Sequence, residues 1–364
     1  LTEKYIWRAV LWTLLATAVI GLIAGFDPGF IVYYPIEGII PVSTGQRVEI
    51  PVVRTSALTR DLQTDLYFFE TDGSFRKVTT FPDALACVTG YQGQLFICFR
   101  AARDEQGGGP SAIYKDGQWV RGVSAPADMR IADVAPFEGT VYAVAVTGDG
   151  KEFRILALGQ NGWEQRGDPF DAGPELGMRG LQSLGKSLEV VYSEGAGSLS
   201  DVTDLAKVEW FHVSFDGAKW GKPERIDVPP GYLPVVDAYN GALALGLVPL
   251  GTGIPVRIAT VQSGKLETLV EIPTRPKQRV TRASLADLGG QHHVFLAGPG
   301  HLWDVPLVNG VPGSARELLS IEEGSRVRSN LYVALWLLCS VLMVALGITW
   351  LVMRLKNFGR GRKN

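Results

Sequence analysis

Two kinds of apolar pattern share this chain. Near its ends lie unbroken apolar runs without a charged residue: Ala9 to Phe26, "AVLWTLLATAVIGLIAGF", and Leu331 to Met353, "LYVALWLLCSVLMVALGITWLVM". Each predicts a helix able to span a hydrocarbon core about 30 Å thick, which takes roughly 20 apolar residues. Lys4 and Arg8 ahead of the first run also suit a cleaved secretory leader, but the run is long for a leader core and favours a retained helix. The sequence begins at Leu1, so its true start is expected upstream. Between the two runs, short alternating or apolar stretches bounded by Gly-containing turn signals predict β-strands.

These strand signals recur. "YKDGQWVRG" holds an Asp-Gly turn signal at Asp116-Gly117, and it has counterparts at Asp72-Gly73, Asn161-Gly162, Asp216-Gly217, Ser263-Gly264 and Asn309-Gly310, with glycine spacings of 44, 45, 55, 47 and 46. A second series, Gly45, Gly93, Gly139, Gly185, Gly241 and Gly290, spaced by 48, 46, 46, 56 and 49, precedes the runs "QRVEIPVV", "QLFICF", "TVYAVAV", "KSLEVVY", "ALALGLV" and "QHHVFLA". Two interleaved series of six with one period define a repeat.

The third unit shows its content. "IADVAPF" reads as a strand, Glu138-Gly139 as a tight turn, "TVYAVAVT" and "EFRILAL" as two further strands, Asn161-Gly162 as a turn and "WEQRG" as a fourth strand. Asn-Gly and Asp-Gly suit two-residue hairpins because both central residues take positive φ. Six four-stranded antiparallel meanders of roughly 48 residues resemble a six-bladed β-propeller, whose blades run to about 40 to 50 residues. "SFDGAKW", Ser214 to Trp220, is similar to a degenerate sialidase-type Asp-box, with its Gly one residue early and Lys219 in place of Thr; this resemblance implies blade architecture alone.

The fold class expected is therefore all-β, with one transmembrane helix at each end. The predicted layout is 1–26 an N-terminal transmembrane helix, 27–35 an interfacial aromatic linker, 36–323 the propeller, 324–330 a linker, 331–353 the C-terminal transmembrane helix and 354–364 a basic tail. Lys4 and Arg8 precede the first run, and Arg354, Lys356, Arg360, Arg362 and Lys363 follow the second, which places both termini in the cytoplasm of an inner-membrane protein and the propeller in the periplasm. Taking those seven basic residues and Glu3 from totals of 35 and 37 leaves 28 Lys and Arg against 36 Asp and Glu, a net charge of −8. An acidic exported domain is a poor partner for nucleic acid.

Strand order predicts a functional polarity. With strands lettered A to D outward from the axis, the A–B and C–D turns share one face, here the turn face. The B–C and D–A loops share the other, the loop face. The irregular insertions "TSALTRDLQT", "AARDEQGGGP", "SEGAGSLSDVTDLAK" and "PLGTGIP" fall in B–C loops, and both chain ends attach to the same face. Gly108, Ser198 and Asp201 in these loops are expected partner contacts. Phe30, Tyr33 and Tyr34, with Phe26, suit an interfacial aromatic belt. Thr17, Gly21 and Gly25 recur at spacings of four and line one helical face, as in close helix–helix packing, although a short small-residue stripe also arises by chance.

Candidate chemistry is sparse. Cys87 and Cys98 fall opposite each other on a predicted hairpin, either as a disulfide or as two buried free thiols. His292, His293 and His301 are close in sequence, but His292 and His293 are adjacent on a strand and point to opposite faces, which disfavours their sharing one metal, and no metal-ligand spacing supports a centre. Glu194, Asp201 and Asp204 lack a calcium-loop pattern and read as a solvated loop. The apolar runs contain no His, Asp or Glu, the usual haem ligands and intramembrane proton-path groups, so no cofactor is expected. The function expected is a non-catalytic structural or assembly subunit of a larger inner-membrane complex, of respiratory or photosynthetic type, whose partners are integral-membrane subunits and the lipid bilayer. The alternatives are a ligand- or glycan-binding sensory propeller and a propeller hydrolase.

Overall fold

The computed structural model describes residues 38–320, apart from residues 40, 45–46, 56–61, 82, 100–109, 116, 149, 174–176, 196–207, 277 and 299, together with Trp12, Thr13, Leu338, Val341, Ala345, Ile348, Thr349 and Val352. The chain divides into two compact units, residues 35–55 with 61–319, and residues 1–34, 56–60 and 320–364. The isolated described positions near the two ends are helical. Among the described residues no helix is long and apolar enough to cross a membrane. The expected spans and their linkers fall almost wholly outside the described residues.

The larger unit is a ring of six antiparallel sheets, each built from consecutive strands. Blade 3 is the most regular: strand A is Met129–Phe137, B is Thr140–Thr147, C is Glu152–Gly159 and D is Gly162–Asp171. Strand A of blade 2 is Leu85–Tyr91, of blade 4 Gly177–Ser183, of blade 5 Tyr232–Tyr239 and of blade 6 Arg282–Leu288. The first and last blades each have one broken strand, the innermost in blade 1 and the outermost in blade 6. Blade 1 has strand A in two short pieces, Gly38–Ile39 and Val42–Ser43, both paired with Arg47–Thr55, and blade 6 has its outermost strand split into Val311–Pro312 and Arg316–Ser320. The first and last strands lie at Gly38 and Ser320, just inside the predicted limits of 36 and 323.

Turn chemistry follows the predicted series at most positions, while Asp72-Gly73, Asp216-Gly217 and Gly185 sit in longer turns where the glycine alone takes positive φ. Glu138-Gly139 and Asn309-Gly310 have both residues at positive φ (48° and 78°; 52° and 78°), as a primed hairpin turn requires. At Asn161-Gly162 the register pairs Gly159 with Gly162, so the two-residue turn is Gln160-Asn161, one position earlier than the spacing suggests. Asp216 carries the Asp-box resemblance structurally. Its Oδ1 accepts hydrogen bonds from the N–H groups of Ala218 (2.9 Å) and Lys219 (2.7 Å), and these bonds hold its carboxyl below the usual carboxylate range. Trp220 Nε1 then donates to the Asp168 carbonyl of blade 3 at 2.8 Å, and its ring packs against Phe153, Phe170 and Phe215.

The core lies between blades. Each blade is apolar on both faces, which suits strands buried on two sides. Phe153, Ile155 and Tyr142 of blade 3 pack with Leu188, Tyr192 and Phe215 of blade 4, and equivalent clusters join blades 1 to 2, 2 to 3, 4 to 5 and 5 to 6. The ring closes without an exchanged strand. Phe69 of blade 1 meets His293 and Phe295 of blade 6 edge-to-face, each at 5.8 Å between centroids, and strand A of blade 6 packs against the first strands of blade 1.

Inner strands approach so closely that small residues are obligatory. A Cβ on Gly246 would sit 2.5 Å from the Ala283 carbonyl oxygen of the next blade. Gly246→Ala should therefore force blades 5 and 6 apart and lower unfolding free energy by about 1 to 3 kcal/mol, the usual cost of overpacking; an unchanged denaturant midpoint would refute this account of the blade contact.

Candidate functional site

The innermost strand of each blade is a sheet edge, so its outward N–H and C=O groups have no partner within the sheet. In an open sheet water satisfies them, but here six such edges converge on one axis. The sequences "IADVAPF" and "VVDAYN" place Asp133 and Asp237 on these edges in blades 3 and 5. Asp133 Oδ1 accepts the N–H of Val134 (2.9 Å) and Oδ2 accepts that of Leu181 (2.8 Å) on strand A of blade 4. Asp237 repeats the arrangement, accepting the N–H of Ala238 (2.9 Å) through Oδ1 and that of Leu285 on strand A of blade 6 through Oδ2. Each carboxylate is an inter-blade staple spanning 48 residues of sequence. Gly180 permits the first, since a Cβ there would lie 3.0 Å from Asp133 Oδ2 and 2.8 Å from Val236 Cβ.

Arg282, on strand A of blade 6, completes the group. A cavity of about 270 Å³ lies among these residues, lined also by Ser43, Thr89, Gln182 and Ser284. Asp133, Asp237 and Arg282 are surrounded by protein yet keep some accessible surface on the cavity wall. Burial is the main perturbation for all three. It pushes the Asp133 carboxyl up to about 6 and Asp237 to about 7, against the opposing pull of their N–H donors and of Arg282, and it lowers the Arg282 guanidinium. Arg282 attracts both acids through space, yet among the described residues its Nε is buried with no hydrogen-bond partner.

The predicted site residues fall elsewhere or outside the described positions. Thr17, Gly21, Gly25, Phe30, Tyr33, Tyr34, Gly108, Ser198 and Asp201 all lie outside the described residues. Cys87 and Cys98 are direct cross-strand partners on the A and B strands of blade 2, as the hairpin spacing predicts, and both are buried free thiols. Burial and the facing Cys98 raise the Cys87 thiol well above its ordinary range. His293 is buried against Asp304 (Nδ1 to Oδ1, 2.7 Å), whereas His292 faces Asn240 of blade 5 (Nε2 to Oδ1, 3.2 Å), on opposite sides of their strand. His301 pairs with Glu317 and stacks on Trp303. Among the described residues no group of three or more His, Cys, Asp or Glu is arranged to hold a metal ion. Sequence reading missed Asp133, Asp237 and Arg282. The available signal was an acid interrupting an otherwise apolar inner strand in two blades.

No protein-family model matches the chain, and no curated protein matches it. Among solved structures it is similar to the SapL1 lectin in complex with alpha methyl fucoside (13% identity, TM-score 0.52, covering 81% of this chain and 98% of that one). It is likewise similar to the six-bladed β-propeller lectin of Aleuria aurantia, described with a novel fucose recognition mode (12% identity, TM-score 0.53, covering 79% and 96%). At such identities the likeness establishes the six-bladed fold.

Two measurements probe the site. Because Asp133 and Asp237 have folded pKa values above the ordinary 3.8, the folded state binds more protons than the unfolded state between about pH 4 and pH 7. Their contribution is most favourable below that window and is lost as pH rises through it. Relative to Asp237→Asn, the wild type should gain stability as pH falls from 8 to 5, by on the order of 1.4 kcal/mol for every tenfold rise in the carboxylate's proton affinity on folding; a pH-independent gap would contradict the buried-carboxyl assignment. Separately, Cys87 and Cys98 should resist a thiol reagent in the folded chain and react after unfolding, and a mass two hydrogens lighter without reductant would show a bridge instead.

Proposed function

We propose that this chain is a membrane-anchored, non-catalytic assembly subunit, whose propeller stands on the periplasmic side of an inner membrane and grips integral-membrane partners through its loop face. The observation that carries this reading is the asymmetry of the two faces. Strand order sends the first strand's start at Gly38, the last strand's end at Ser320, and the long B–C connections Thr55 to Leu62, Phe99 to Pro110, Glu194 to Glu209 and Pro249 to Val256 to one face. The turn face, by contrast, carries mostly two-residue turns, such as Glu138-Gly139 and Asn309-Gly310. The charge-free runs at 9–26 and 331–353 flank the propeller in sequence and would anchor the chain in a bilayer. A propeller supplies a rigid platform for such loops, because loops placed by a packed scaffold commonly carry binding.

Purification from native membranes in a mild detergent should recover the chain with integral-membrane subunits in fixed ratio. In that assembly, cysteines introduced at Gly108 or Ser198 should be protected from an aqueous thiol reagent, while one at Asn161 on the turn face stays reactive. Migration alone, or the reverse labelling pattern, would overturn the assembly reading.

A further inference from the structure

We propose that the axial cavity is a binding site for one small, neutral, polyhydroxylated molecule of about monosaccharide size. The inference does not depend on the assembly reading. The cavity runs along the axis, from Arg282 at the first residue of its strand A, past Asp133 in the middle of its strand, to Gly90, Pro136 and Gln182 close to the A–B turns.

Three features select the ligand class. The first is size, since about 270 Å³ lies just under the roughly 300 Å³ at which pockets for drug-sized ligands begin. The second is unmet hydrogen bonding. Arg282 lines the cavity, and among the described residues its enclosed Nε–H has no partner, while the carboxylates of Asp133 and Asp237, each oxygen already holding one backbone N–H, retain further lone pairs. The ligand must accept at one edge and donate at others. The third is charge. Two acids and one guanidinium disfavour an anion, which meets two carboxylates, and disfavour a simple cation, which meets Arg282. Adjacent hydroxyl groups satisfy all three side chains without adding charge, donating to the acids and accepting from Arg282. Ser284, two residues along the same strand from Arg282 and so on the same side of it, supplies a further hydroxyl.

The test is titration calorimetry on the full chain in a polyoxyethylene detergent, which avoids the sugar headgroups of glycosidic detergents. The probes are glucose, galactose, mannose, fucose and myo-inositol, with sodium acetate and sodium phosphate as anion controls. The expected result is one-to-one binding of at least one polyol, weakened by about tenfold or more in Arg282→Lys and in Ser284→Val. The second variant fills the cavity without touching a charge, and both are to be checked for an unchanged melting profile. Absence of binding by every polyol at millimolar concentration would overturn the proposal. Binding unchanged in both variants would locate the sugar elsewhere, as between blades, and would overturn it equally. Binding of acetate or phosphate alone would make the cavity an anion site and also refute it.

Discussion

Everything in this propeller is conditioned by the unpaired edges of its six inner strands. A sheet edge exposes N–H and C=O groups that must find partners, and leaving a buried one unpaired costs about 1 to 3 kcal/mol. Arranging six edges around an axis moves that problem from the surface to the centre. The chain answers it in blades 3 and 5 by placing an aspartate on the edge itself, so that one carboxylate takes an N–H from its own strand and another from the next blade. The solution carries an electrostatic cost, visible in the raised acids and the lowered guanidinium, because burial separates all three charges from bulk water. The same groups that fasten the blades therefore leave a polar cavity with capacity to bind.

A second constraint is closure. Propellers that exchange a strand between first and last blades bring one chain end into the ring, but here each blade is built from consecutive strands and the ring is completed by side-chain packing around Phe69, His293 and Phe295. Hydrophobic burial between every pair of neighbours makes this sufficient, since each blade alone is apolar on both faces and cannot bury them without its neighbours. Closure without exchange also leaves both ends of the propeller free on one face.

These two constraints give the propeller two unlike faces. The loop face takes the longer B–C connections and both ends of the propeller, at Gly38 and Ser320. The turn face has mostly short hairpins, several with both central residues at positive φ. The blade core between the faces is close-packed, and such interiors have low compressibility.

The repeat, the number of blades, the strand order within each and most of the glycine turns were legible in the sequence because they rest on local rules: short apolar runs bounded by turn signals, positive φ at turn glycines and a recurring length near 48. The direct opposition of Cys87 and Cys98 followed from the same hairpin geometry. What the sequence did not reveal is the axis, where inner strands buried on both faces show no period-two alternation to mark which side chains turn toward it. Asp133, Asp237 and Arg282 lie 104 and 45 residues apart along the chain and each looks, in isolation, like an ordinary polar residue of a strand. Their meeting depends on the angle at which neighbouring blades pack, on Gly180 and Gly246 allowing that approach, and on closure of the ring. Local patterning determined the blades; only the sum of their packing, a long-range property, decided that two acids and an arginine share one desolvated cavity.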